Sequence, residues 1–167
     1  MPLPGLKIKL GNGNTGSVNA SNDGISGMIL TGATVAGTGN VTIGKAYQVN
    51  SLEGAEAIGI NATSNAYAHT NVKEFYDGAK AGTALWIMLV ATTLSMEDML
   101  DSTKLFAPVL LDAAKGKIKV LTISKKTVTG FTVGNGMDAD VDKAMIKGQA
   151  LAELYANKFM PFRFVVD

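Results

Sequence analysis

Seven consecutive residues, Ala84-Leu85-Trp86-Ile87-Met88-Leu89-Val90, are all apolar. A strand or helix with one wet face does not read this way. Such a run is buried on both sides, which points to an interior strand with helices packed on either face of its sheet. With Ala91 it makes the longest apolar run, eight residues, far short of the ~20 that a spanning helix needs.

The chain after this run alternates. Ser95 with Asp98 resembles a capping box and opens a helical stretch, which Pro108 interrupts or restarts and Gly116 ends. Lys117–Ile123 reads as a strand, and Thr127–Met137 as a loop rich in Thr and Gly. A long helix is predicted from Ala139 to Lys158, with Val141, Ala144, Met145, Gly148, Leu151, Ala152 and Tyr155 on its apolar face. Pro161 leads into a last strand, Phe162–Val166. The order β, α, β, α, β predicts a largely parallel sheet with right-handed crossovers. The last strand reaches Asp167 without a cap, so it either lies at an edge or leads into further chain, and the reading favours further chain.

Before residue 84 the chain is richer in glycine. Leu6-Lys7-Ile8-Lys9-Leu10 alternates apolar and basic residues, as a strand with one wet face does. Gly11–Gly24 is nearly all turn formers and is read as loop, Ile25–Thr31 as a buried strand, and Gly32–Gly44 as small and flexible with a hairpin through Thr38-Gly39-Asn40. Ala46–Val49 reads as a short strand, with Asn50 and Ser51 capping a helix that runs to Ile58. Val72, Phe75, Tyr76 and Ala79 share one face of a helix predicted over Thr70–Ala81 and closed by Gly82. The expected fold class is α/β: a mixed, largely parallel sheet flanked by helices, with an extended N-terminal arm and glycine-rich loops. The arm and loop take residues 1–23 and the core domain 24–167.

Composition narrows the chemistry. There is no cysteine, which excludes disulfides, thiolate metal sites and a thiol nucleophile. The 167 residues carry a formal charge of +1, a balance that calls for neither nucleic acid nor an anionic membrane. Met1–Leu10 has no apolar run of the signal-peptide kind, so the expectation is a soluble, cytoplasmic chain.

Several motifs tempt a catalytic reading. Gly11-Asn12-Gly13-Asn14-Thr15-Gly16 fits G-x-G-x-x-G, but the residues after it will not sustain the helix a dinucleotide site requires. Gly39–Lys45 fits the first seven positions of a P-loop, yet Ala46 stands where a hydroxyl should hold magnesium. His69 is the one histidine; it is read as a surface or capping residue just before a helix. Glu97, Asp98 and Asp101, and likewise Asp138, Asp140 and Asp142, are read as carboxylates at helix starts. Met96, Met99, Met145 and Met160 are read as helical core positions. No catalytic, cofactor-binding or metal-binding residue is named, and no cofactor is expected.

Four segments taken in order resemble the contractile phage-tail sheath proteins. Gly24–Gly32 resembles their first core strand, and Tyr47–Ala55 the short extended piece followed by a Ser-started helix. Asn71–Gly78, with its aromatic pair, and Leu85–Val90 resemble the helix and hydrophobic strand that follow. The resemblance implies a non-enzymatic subunit that stacks into a helical tube around an inner tail tube. Contraction would then be a rigid-body rearrangement of subunits tethered by exchanged strands. On this reading Leu6, Lys7, Ile8, Lys9 and Leu10 belong to the exchanged arm. The partners are further copies of the chain and the inner tail-tube protein, with no nucleic acid and no membrane. The place is a virion tail or a prophage product assembled in the bacterial cytoplasm. Sheath subunits link to neighbours through a C-terminal region beyond the point this sequence reaches, which implies a longer chain. Two alternatives stay open: another phage or secretion structural subunit, and a small α/β nucleotide- or metabolite-binding domain.

Overall fold

The computed structural model describes residues 25–37, 41–79, 82–127, 132–134 and 136–167. Strands β1 (Ile25–Thr31) and β2 (Ala46–Val49) are followed by helices α1 (Leu52–Ala57) and α2 (Ala66–Gly78). Next come β3 (Leu85–Val90), α3 (Met96–Leu100), α4 (Ala107–Ala113) and β4 (Ile118–Ser124). A two-residue ribbon, β5 (Val133–Gly134) with β6 (Met137–Asp138), precedes α5 (Ala139–Asn157) and β7 (Arg163–Val166).

The main sheet has the order β2-β3-β1-β4-β7. β1 is parallel to β3 and β4, and β4 is parallel to β7, while β2 runs antiparallel to β3. The fold class is therefore the expected one, a mixed and mostly parallel α/β sheet. The doubly apolar run is an interior strand, as its composition requires. Leu85, Ile87 and Leu89 face one core with Leu30, Ala55, Ala68 and Val72, against α1 and α2. Met88 and Val90 face the other with Ile29, Leu110, Leu151 and Tyr155, against α3, α4 and α5. Period-two alternation in one strand thus feeds two cores.

Several boundaries and placements differ from the sequence reading. Helix α2 begins at Ala66, not Thr70, because Asn65 stands at its N-cap and Ala66-Tyr67-Ala68 continue the helix. It ends at Gly78, with the Ala79 amide donating to Phe75 O at 2.9 Å, so Gly82 does not close it. The stretch expected as loop over Thr127–Met137 contains β5 and the start of β6. Asn135-Gly136 is a two-residue hairpin signal, and Gly136 takes φ +82. Met145 is 46% exposed, whereas Ala144, Gly148, Leu151 and Tyr155 form the buried stripe of α5. One residue on from Ala144 is about 100° round the helix, which carries Met145 past the contact face. Met160 follows α5 rather than lying on a helix, and it packs over Gly116.

Other features hold. Of Asn50 and Ser51, Ser51 is the N-cap of α1, its Oγ accepting from Gly54 N at 3.1 Å, and Ser95 Oγ accepts from Asp98 N at 3.1 Å. Pro108 lies in the first turn of α4, where its missing N–H costs nothing. The last strand lies at a sheet edge, the less favoured of its two readings. The predicted strand Leu6–Leu10, the loop Gly11–Gly24 and the hairpin tip Thr38-Gly39-Asn40 lie outside the described residues.

Candidate functional site

Three parallel strands end side by side, and their carboxyl ends carry three buried polar side chains or their neighbours. Thr31 closes β1 and is 2% exposed; Ser124 closes β4 at 1%; Asn65, at the start of α2, is 5% exposed. Thr31 Oγ1 accepts from Lys126 N at 2.9 Å, which ties the chain leaving β4 to the end of β1. Ser124 Oγ donates to Asp167 Oδ2 at 3.1 Å, because a carboxylate can only accept. The Tyr67 hydroxyl therefore donates to Ser124 Oγ, making a relay from α2 through β4 to the end of β7.

Asn65 has a different task. Its Oδ1 accepts from Ala33 N at 2.7 Å, and its Nδ2 donates to Ala33 O and Gly59 O, each at 3.2 Å. The side chain thus joins the exit of β1 to the end of α1, and it makes no capping bond to its own helix. Beside these groups lies a cleft of about 270 Å³, lined among others by Thr31, Thr63, Ser64, Tyr67, Thr92 and Lys126.

The opposite face of the same sheet end is held by Asp140. Its carboxylate accepts from Met96 N at 3.0 Å, Glu97 N at 3.2 Å and Lys125 Nζ at 3.1 Å. Burial by itself would raise its pKa, but the two amides and the Lys125 ammonium outweigh that and hold it below the usual carboxylate range. Asp140 therefore caps α3 while standing in the first turn of α5, a link between helices that its spacing did not announce. Lowered in the folded state, the group contributes stability above the unfolded carboxylate pKa of about 4 and loses it as pH falls further. Asp140→Asn is expected to cost about 1 kcal/mol at neutral pH and to lose less than the wild type on acidification. Urea unfolding at neutral and acid pH checks both.

The remaining sequence-named residues fall as follows. Leu6, Lys7, Ile8, Lys9 and Leu10, the proposed exchanged arm, lie outside the described residues, as does Gly11–Gly16. Of Gly39–Lys45, Val41 is fully buried in the core against α1 and α2, and Lys45 Nζ lies 5.4 Å from the Tyr47 ring centre. His69 does not precede a helix; it sits inside α2, and its Nε2 meets Glu56 Oε1 on α1 at 2.8 Å. Asp138 caps α5 through Asp140 N, as expected of a helix-start carboxylate. Asp101 instead follows the last turn of α3 and pairs with Lys147 at 2.7 Å, which holds its carboxyl well below the usual range. Among the described residues no three His, Cys, Asp or Glu side chains converge as metal ligands. Among them, too, no helix is long and apolar enough to cross a membrane.

Sequence reasoning missed Asn65, Tyr67 and Ser124. Asn65 is a helix-start residue type and could have been found as one. The Tyr67–Ser124 pair spans 57 positions and carried no local signal.

A family model described as "DUF2586, N-terminal domain" matches residues 3–167. The chain belongs to the DUF2586 family. No curated protein and no solved structure gives a match. The DUF2586 domain thus brings its buried hydroxyls, its amide clamp and, on opposite faces, Lys125 and Lys126 to the carboxyl end of its sheet, the end at which open α/β sheets hold ligands.

Proposed function

We propose that this DUF2586 domain is a structural subunit of a contractile tail sheath, polymerising into a helical tube around an inner tail tube. The observation that carries the reading is the open edge at β7. Asp167 N donates to Ile123 O at 2.9 Å, so by the period of the ladder Arg163 and Val165 also turn their backbone groups toward β4. The N–H and C=O groups of Phe164 and Val166 then point away from the sheet, and among the described residues no strand pairs with them. An edge of this kind is a template for an added strand.

The other edge suits this role less. In β2 the carbonyl of Val49 already accepts from the Tyr76 hydroxyl at 3.1 Å. Apolar side chains also stand exposed on α5, just after it and on β7, with Ile146 at 67%, Phe159 at 94% and Val165 at 51%. Surfaces like these suit contact with neighbouring copies. Leu6–Leu10, alternating and followed by a glycine-rich stretch, is the segment of a neighbouring copy assigned to the edge. The four segments that resemble sheath proteins point the same way. The reading requires no catalysis and no cofactor, and it locates the protein in a virion tail or prophage product assembled in the bacterial cytoplasm. Assembly through one edge and one arm is heterologous, and it gives an open helix when the rotation does not close.

Negative-stain electron microscopy of the full chain tests the proposal. The expected result is rings or striated tubes. Deletion of residues 1–12 should abolish them while leaving thermal unfolding unchanged. Val166→Pro, which removes an outward N–H and no ladder bond, should abolish them too, with some loss of thermal stability because the Val166 side chain packs against the core. Uniform single particles at high concentration, whatever the salt, overturn the sheath reading; tubes indifferent to both changes overturn the strand-exchange assignment.

A further inference from the structure

The cleft at the carboxyl end of the sheet is positioned by topology. The chain leaves β1 toward the face covered by α1 and α2, and it leaves β3 and β4 toward the face covered by α3, α4 and α5. Where neighbouring strands send their connections to opposite faces, a crevice opens between the connections, and ligands of open α/β sheets bind there. The cleft of about 270 Å³ lies at this reversal, since its lining comes from the exits of β1, β3 and β4 and from the start of α2.

The chemistry of that lining has one sign. Among the described lining residues Lys126 alone carries a formal charge at neutral pH; the other polar side chains are the hydroxyls of Thr31, Thr63, Ser64 and Thr92, the amide of Asn65 and Tyr67, whose proton goes to Ser124. Among the described residues no carboxylate lines the cleft; Asp167 stands behind Ser124. Thr31 holds the Lys126 backbone in place. Ala66 and Tyr67, in the first turn of the thirteen-residue helix α2, contribute to the wall. Asn65 is drawn off to Ala33 and Gly59 and makes no side-chain cap to that turn. A cation, hydroxyl donors and the positive end of a helix around one cavity match a tetrahedral oxyanion.

We propose that this cleft binds a phosphate group, either free phosphate or the phosphate end of a small monoester, between Lys126 and the first turn of α2. None of the described lining residues belongs to β7, whose edge the assembly reading uses, so each stands or falls separately. In the full chain, inorganic phosphate at millimolar concentration is expected to raise the melting temperature above that in chloride of equal ionic strength. The amide signals of Ala66 and Tyr67 should shift in a proton–nitrogen correlation spectrum. Lys126→Ala, at an exposed position, should leave the unliganded melting temperature unchanged and weaken phosphate binding by roughly tenfold. Glycerol phosphate binding more tightly than phosphate identifies the monoester as the source, and the reverse identifies free phosphate. No phosphate-dependent change, an equal response to acetate, or an unchanged affinity in Lys126→Ala overturns the proposal.

Discussion

Asn65→Ala is expected to lower the unfolding free energy by about 3 kcal/mol and the melting temperature by about 6–12 °C. Alanine leaves the Ala33 N–H and the carbonyls of Ala33 and Gly59 without the partner that Asn65 supplies, in a site where that side chain is 5% exposed. A buried group costs roughly 1–3 kcal/mol when its partner is deleted; the Gly59 carbonyl is such a group, and the two part-buried groups of Ala33 add the rest. Asn65→Asp distinguishes this cause from simple loss of volume. Aspartate keeps the shape and can still accept from Ala33 N, but it turns an oxygen where Nδ2 donated to two carbonyls. It should therefore be at least as damaging as alanine. Equilibrium unfolding in urea gives both values; a loss below about 1 kcal/mol for alanine would mean that water replaces the amide.

Gly148→Leu is the second large effect, at about 3 kcal/mol. Gly148 lies in the buried stripe of α5, where a Cβ would stand 2.5 Å and 2.6 Å from the Phe164 ring atoms Cε2 and Cζ. Leucine is a far better helix former than glycine, by up to about 1 kcal/mol, so any net loss must come from packing. Either α5 lifts off β7 or the Phe164 ring swings out. Phe164→Ala in the same chain should recover a large part of the loss, because the leucine then occupies the space of the ring. The two changes made singly and together give a coupling of about 1–2 kcal/mol of compensating sign. Strict additivity would show that helix and strand do not meet at this point in solution.

These two sites also mark where sequence reasoning reached and where it stopped. Ile25–Thr31 and Leu85–Val90 were legible because an apolar run bounded by glycines or polar residues leaves few alternatives. The caps at Ser51 and Ser95 were legible because a cap is a bond across three residues. Gly148 was placed on the apolar face of α5 by its spacing, but nothing in that spacing says that an aromatic ring from β7 fills the gap above it. Asn65 carries a helix-start signal, yet its side chain serves Ala33, 32 positions earlier.

The sequence by itself determined the strands of the main sheet and the helices between them, the two-faced burial of β3 and the largely parallel character of the sheet, since these follow from local periodicity and the order of segments; it missed the β5–β6 ribbon. It also put the last strand at an edge as one of two readings. The tertiary structure alone decided the strand order, and with it the reversal around β1 that opens the cleft. It decided that Lys125 serves one face of the sheet through Asp140 while Lys126 lines a cleft on the other. The physical reason is the range of the interactions. Helix periodicity, capping and turn chemistry act over a few residues and leave a mark in the chain, whereas side-chain hydrogen bonds and ring contacts join positions tens of residues apart, and only folding brings them together.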